Sequence, residues 1–170
     1  METERLVLRK AVDSDLNSIY RNVWSDESLS EYMLWEPTRT LDEAAERLER
    51  TIRYQSNNDA WFICLKETDE PIGFIGMVQT DDNTYDGTGL CIAKKYQGMG
   101  YGKEALKRLL SCAFTAKKAS EFIYSVWSTN IRSKNLAKSL GFQYQYSEDK
   151  IRDYDGKAFI NEIWVLDMKK

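Results

Sequence analysis

Tyr96-Gln97-Gly98-Met99-Gly100-Tyr101-Gly102-Lys103 carries the clearest chemistry in the sequence. Three glycines at alternate positions lie between Thr88 to Ala93, which reads as a strand, and a segment that reads as a helix. Glycine lets successive backbone N–H groups turn inward together, and the following helix points its positive end at the same spot. Such a turn takes an anion, most naturally a pyrophosphate. Read only as local structure, it is a tight strand-to-helix turn. A P-loop needs Gly, four residues, then Gly-Lys-Ser/Thr. Here Gln97 stands five before Gly102 and Glu104 follows Lys103, so the magnesium hydroxyl is missing. A dinucleotide fingerprint needs Gly-x-Gly-x-x-Gly. Gly98-x-Gly100-x-Gly102 is one residue short, although Glu121 stands at about the right distance for a ribose contact.

The chain has no histidine, which removes the Ser-His-Asp triad, the Cys-His dyad and every His-containing metal site. Cys64, Cys91 and Cys112 lie far apart among apolar residues, without the paired spacing of a zinc site. They read as buried reduced thiols of a cytoplasmic protein, and no metal is expected. A net charge of -3 disfavours a nucleic-acid partner and suits a small molecule or a cationic one. No apolar run approaches the roughly 18 residues of a membrane span, and the charged opening METERLVLRK is no secretory signal.

The elements that must position the loop can be read in order. Arg5 to Lys10 alternates as a half-buried strand does. Asp13 can cap a helix running to about Val23. Thr40-Leu41-Asp42-Glu43 matches a capping box, with Leu41, Ala44, Ala45, Leu48 and Ile52 on one face of the helix behind it. Ala60 to Glu67 and Ile72 to Gln79 form a hairpin around Asp69-Glu70-Pro71. Asp81 to Gly87 reads as an acidic loop, and Thr88 to Ala93 as a third central strand. After the glycine loop comes a helix with Ala105, Leu106, Leu109, Leu110 and Ala113 at helical spacing. Glu121 to Ser128 is rich in strand formers. Asn130 can cap a short helix from about Arg132 to Leu140, with Gly141 supplying the left-handed residue after it. Phe142 to Arg152 and Lys157 to Asp167 flank Asp155-Gly156, a hairpin signal. The order βααβββαβαββ predicts one α/β (α+β) domain over residues 1–170 with a mixed sheet.

Gln97-x-x-Gly100-x-Gly102, between a strand and a helix, resembles the acetyl-CoA pyrophosphate loop of the GNAT N-acetyltransferases. Glu104-Ala105-Leu106 continues as in many members. Ser128-Thr129-Asn130, Ser133 and Leu140-Gly141-Phe142 are similar to their second block, most nearly that of the RimJ/RimL-type branch. This resemblance implies a mostly antiparallel mixed sheet with two splayed central parallel strands, Thr88–Ala93 and Glu121–Ser128. It implies acetyl-CoA in the gap, its pantetheine arm held by Cys91, Ile92 and Ala93. Its pyrophosphate would be held by Gln97, Gly98, Met99, Gly100, Tyr101 and Gly102, with Lys103 adding charge. Asn130 would touch the pantetheine arm or the substrate while capping its helix.

The implied reaction moves acetyl directly from a thioester to a primary amine. The amine must lose a proton, the oxyanion needs a donor, and the thiolate needs a proton or hydrogen bond. Backbone N–H groups around Ile92 suit the oxyanion. The Tyr that many members place on the later helix falls at Ala137 here, so Ser133 is expected at the thiolate instead. The usual Glu of the first splayed strand falls at Gly87, beside Asp86. Asp86 and Glu162 are the expected bases, with Glu36, Glu148 or a water relay as alternatives. Trp24, Tyr32, Met33, Trp35, Trp127, Tyr146 and Tyr154, with Glu27, Glu31 and Glu36 nearby in sequence, suit a cationic amine. The expected acceptor contacts are Trp35, Glu36, Trp127 and Tyr154, and the expected acceptor is a protein N-terminus or a small cationic amine. The edge of the last hairpin leaves monomer and homodimer open. A CoA-binding domain of this fold without transferase activity is the alternative reading, and a nucleotide- or dinucleotide-binding enzyme a more distant one.

Overall fold

The computed structural model describes residues 1–167. Its strands are β1 (Leu6–Arg9), β2 (Ala60–Leu65), β3 (Pro71–Asp81), β4 (Thr84–Ile92), β5 (Glu121–Trp127), β6 (Gln143–Ile151) and β7 (Ala158–Asp167). Among the described residues these form one seven-stranded sheet in the order β1-β2-β3-β4-β5-β7-β6. β1-β2, β2-β3, β5-β7 and β6-β7 pair antiparallel. β4 and β5 pair parallel over three positions, Thr84↔Glu121 to Asp86↔Ile123. The α-helices are α1 (Leu16–Ile19), α2 (Leu41–Asn57), α3 (Tyr101–Ser111) and α4 (Ile131–Ser139). This is the mostly antiparallel mixed sheet that the resemblance implied.

The chain divides into two compact units, residues 1–77 with 88–109, and residues 78–87 with 110 onward. The first holds β1, β2, most of β3, α1, α2 and most of α3. Its core gathers Ile19, Val23, Trp24, Ala44, Leu48, Phe62, Cys64 and Cys91. α2 starts where the sequence says: Thr40 Oγ1 accepts from Glu43 N at 3.2 Å. Glu43 Oε2 reaches past the cap to Arg39 N, 2.9 Å away, rather than closing the usual reciprocal box. The expected helix from Asp13 to Val23 is broken. It runs as a 3-10 turn (Asp13–Asp15), a four-residue α1 and a wide π-type turn (Tyr20–Trp24). Asp15, not Asp13, fixes the start, because it accepts from Val12 N at 2.9 Å while buried against Arg9.

The second unit holds the tip of the β3–β4 hairpin, β5, α4 and the β6–β7 ribbon. Phe122, Tyr124 and Phe142 pack ring on ring in its core. The segment Asp81 to Gly87, expected as a loop, is mostly strand. The chain reverses at Asp82-Asn83, where Asn83 takes φ +63, a conformation asparagine tolerates. Thr84 and Tyr85 are strand formers and resume pairing at once, so Asp86 sits in a strand rather than a mobile acidic loop. Among the described residues no helix is long and apolar enough to cross a membrane.

Candidate active site

The glycine loop closes the first unit. Gly98 (φ +82) and Gly100 (φ +84) occupy the left-handed region, which a side chain would resist. Gln97 Nε2 donates to the Ile92 carbonyl at 2.8 Å and ties the loop to the end of β4. The Gln97 amide donates to the Lys94 carbonyl at 3.2 Å and the Glu104 amide to Gly100 O at 3.0 Å, so the amides from Gly98 to Lys103 are the ones left for a ligand. Lys103 is half-buried in that first turn.

Glu104, in the first turn of α3, would repel an anion if its charge were free, and the structure neutralises it. Glu104 Oε1 accepts from Thr3 Oγ1 (2.6 Å) and Arg5 N (2.9 Å), and Oε2 accepts from Arg5 Nε (2.8 Å). Burial pushes this carboxyl up, but the Thr3 and Arg5 donors outweigh it and hold the group below its ordinary value. Arg5 also donates from Nη1 to the Met99 carbonyl (3.0 Å) and lies 4.4 Å from the centroid of the Tyr101 ring. Arg5, immediately before β1, thus shapes a loop more than ninety residues away, a role that sequence reading missed. The residues fit a pyrophosphate: open amides, left-handed glycines, and a neutralised carboxylate.

Of the three residues expected along the pantetheine arm, two turn their backbone groups to β3. Ala93 N donates to Ile72 O at 2.7 Å, and a Cβ at Gly73 would collide with the Cys91 carbonyl. Alternation turns the Ile92 N–H to the opposite edge of β4. The expectation therefore narrows to Ile92. Burial pushes the Cys91 and Cys64 thiols up to about 12, so both stay protonated.

Asp86 is the carboxylate with the most unusual surroundings. Its Oδ1 is buried without a hydrogen-bond partner. Burial pushes its pKa up to about 6, with the Gly87 amide opposing. Glu162, the other expected base, is engaged on both oxygens. Oε1 accepts from Lys134 Nζ at 2.7 Å and Oε2 from Trp164 Nε1 at 3.0 Å. An ion-paired carboxylate with both oxygens occupied is a poor proton acceptor, so Glu162 reads as a strut between α4 and β7. Glu148 likewise accepts from Asn161 and pairs with Lys150.

At the start of α4, Asn130 Oδ1 accepts from Ser133 N at 3.1 Å, the expected cap. Ser133 Oγ lies 2.8 Å from the hydroxyl of Tyr124 on β5. Tyr124 is buried, which raises its phenol above the ordinary value, the Ser133 hydroxyl opposing. Sequence reading placed a weak acid at Ser133 and missed this buried phenol behind it. The only sequence signal is a tyrosine on an inward position of a central strand.

The four expected acceptor contacts divide between the units, Trp35 and Glu36 in the first and Trp127 and Tyr154 in the second. Trp127 is stacked on Phe159, with centroids 3.9 Å apart. Arg152 lies 5.3 Å from the Trp127 ring and 4.5 Å from the Tyr154 ring, so the protein's own cation covers both. Glu36 is exposed and pairs with Arg39 at 3.8 Å. Trp35 remains, lining a cavity of the first unit.

A family model described as an acetyltransferase (GNAT) domain matches residues 5–143. An uncharacterized N-acetyltransferase, p20, from Bacillus licheniformis is 28% identical, covering 99% of this chain and 94% of its own. Among solved structures, a putative ribosomal-protein-serine acetyltransferase from Vibrio cholerae superposes with TM-score 0.81 at 20% identity, covering 98% of this chain and 95% of that one. Spermidine N-acetyltransferase from Vibrio cholerae, in complex with CoA and spermine, superposes with TM-score 0.79 at 18% identity, over 99% of this chain and 98% of that one. These two likenesses speak for the fold. The domain match spans the glycine loop, both central strands and the helix bearing Ser133, and on it the chain belongs to the GNAT family of acetyl-CoA-dependent acetyltransferases.

Proposed function

We propose that this protein binds acetyl-CoA through the glycine loop and transfers its acetyl group to a primary amine, on a peptide amino terminus or a small molecule, in the manner of the RimJ/RimL-type branch. The observation that carries the reading is the loop itself, with left-handed Gly98 and Gly100, unmatched amides ahead of Glu104, and Arg5 neutralising the one nearby carboxylate. Acetyl-CoA supplies the activated thioester, and the chain supplies the rest. Gly98 to Gly102 hold the pyrophosphate, with Lys103 adding charge, while Gln97, expected among them, spends its amide on the Lys94 carbonyl and its side chain on Ile92 and braces the loop instead. Ile92 N–H is the strand donor available to the pantetheine arm or the developing oxyanion.

Asp86 takes the ammonium proton. An aspartate at its ordinary pKa is a feeble base, and one raised to about 6 is stronger yet largely ionised at neutral pH. With the Tyr124 hydroxyl as donor to Ser133 Oγ, 2.8 Å away, the Ser133 hydroxyl hydrogen is free for the departing sulfur. The nitrogen–carbon bond forms and the carbon–sulfur bond breaks; the sulfur leaves hydrogen-bonded to the Ser133 hydroxyl and takes up the second proton that the attacking nitrogen sheds, giving the amide and the CoA thiol. All three cysteines are unpaired, which supports a cytoplasmic setting; Cys64 and Cys91 are buried as expected, whereas Cys112, in the turn after α3, is half-buried. The test is thermal stability with acetyl-CoA, CoA, ATP and NAD in parallel. Saturation at 100 times Kd adds about 2.7 kcal/mol, or roughly 5–11 °C. Acetyl-CoA and CoA alone are expected to shift the transition. A shift with ATP or NAD instead would overturn the loop assignment.

A further inference from the structure

The first unit contains a cavity of about 310 Å³ whose wall includes Trp24, Trp35, Arg47, Tyr54, Trp61 and Phe74. Among the described residues Arg47 is the one charged residue lining it. The guanidinium carbon lies 4.7 Å from the ring centroids of both Trp24 and Trp35. Nη1 donates to Thr38 Oγ1 at 2.9 Å and reaches the Glu36 carbonyl at 3.4 Å. Among the described residues no carboxylate lies within ion-pair distance of Arg47, and burial pulls it down to about 10. A second donor on the same wall has no acceptor among the described residues: Trp35 Nε1 is buried and unbonded. A guanidinium held in an aromatic box without a counter-charge is costly, and an anionic partner offsets that cost.

The cavity shares Trp35, Arg47, Thr51 and Tyr54 with an open outer cleft of about 500 Å³ that carries Glu36, Glu43 and Glu46. Those carboxylates are already matched. Glu36 faces Arg39 at 3.8 Å, Glu46 faces Arg50 at 3.7 Å, and Glu43 accepts from Arg39 N. The cleft therefore offers little to a polyamine, while the inner cavity offers two donors and aromatic walls.

We propose that this cavity is the acceptor pocket and that it selects an amine bearing a carboxylate on a compact aromatic or apolar body, with Arg47 and Trp35 Nε1 recognising the carboxylate. The inference rests on the acetyltransferase reading above and names its substrate class. The Nε and Nη2 donors of Arg47, which make no hydrogen bond among the described residues, lie in the guanidinium plane and match a carboxylate fork. One positive charge balances a monoanion, whereas a phosphate would bring a second, unbalanced charge into the same walls.

The test compares L-phenylalanine, L-phenylalaninamide and spermine as acceptors, with release of CoA thiol as the readout and direct binding of each amine measured alongside. Thermal stabilisation by acetyl-CoA is recorded first. The expected result is a kcat/KM for phenylalanine at least about 100-fold above that for its amide, because a site built around an unpaired donor rejects an analogue that leaves it unpaired. Arg47→Gln is expected to collapse that ratio towards one, and Arg47→Lys to retain only part of it. Should Arg47→Gln not fold, judged by loss of the acetyl-CoA shift, Trp35→Phe serves instead. It keeps the ring, removes the N–H, and is expected to lower the ratio several-fold. Preference for the amide or spermine, or neither binding nor turnover of phenylalanine despite an intact acetyl-CoA shift, overturns the carboxylate pocket. Absence of the acetyl-CoA shift in the unaltered protein overturns the underlying function instead.

Discussion

Replacing Asp86 with Asn should make this protein slower and more stable at once. Asp86 carries a buried oxygen with no donor, and its pKa moves from 3.8 to about 6. That shift of about 2 units corresponds to roughly 3 kcal/mol at about 1.4 kcal/mol per unit. Asp86 is only half-buried, so solvent screening reduces this to on the order of 1–2 kcal/mol. The sign follows from the raised value. Below the unfolded pKa of 3.8 both states are protonated and no penalty exists. Between 3.8 and about 6 the unfolded carboxylate ionises while the folded one keeps its proton, so stability falls across that window and stays at the lower level above it. Asp86→Asn therefore gains about 1–2 kcal/mol at pH 7, or roughly 2–8 °C in Tm, and gains nothing below about pH 4. Its kcat/KM should drop about 10²–10⁴-fold, the range of a lost general base. In the unaltered protein kcat/KM should fall about tenfold per pH unit below 6, and this limb should vanish in the variant. Release of CoA thiol from pH 5 to 8, with calorimetric melting over the same range, measures both effects. A flat pH profile in the unaltered protein, or a variant that keeps the limb, refutes the assignment.

Three further outcomes are expected. Gly100→Glu should abolish acetyl-CoA binding in calorimetry, since it places negative charge where phosphate sits. Gly100→Ala, which meets only the φ +84 penalty and Arg5 Nη2 at 3.4 Å, should weaken binding less. Arg5→Ala should loosen acetyl-CoA by releasing Met99 and exposing Glu104, and adding Glu104→Gln should restore part of the affinity; an unchanged Kd in Arg5→Ala sinks the clamp. Tyr124→Phe and Ser133→Ala should each lower kcat more than acetyl-CoA affinity, and the double variant should add little, because the two hydroxyls act in series.

The elements around the loop were largely readable because local chemistry decides them. Thr40 and Asn130 cap α2 and α4 as the sequence predicts, and glycines lie where φ is positive. Asp81 to Gly87 was misread because its acidic residues mask two strand formers, Thr84 and Tyr85, that need only a two-residue reversal before them. The segment after Asp13 was misread because Arg9 and Asp15 decide its entry through an ion pair, which helical periodicity does not show. Site residues were harder. Glu162 looks like any strand glutamate until Lys134 and Trp164 close on it. Arg47 reads as a solvated helix charge, and only packing between Trp24 and Trp35 makes it a recognition group. Conversely, Trp127 and Tyr154 look ready for a foreign cation, but Arg152 arrives from the same ribbon.

The reach of Arg5 has a consequence for how the protein matures. Its bonds to Met99 and Glu104 close loops of 94 and 99 residues. Contacts of such sequence separation carry a high entropic cost and form late when a chain collapses. The glycine turn is thus not finished when its own residues have folded. It takes its final shape when the first strand docks, so ligand capture during refolding should lag behind the helical signal. A fluorescent CoA analogue in a stopped-flow experiment would then report docking of the opening strand, although the dye never touches it.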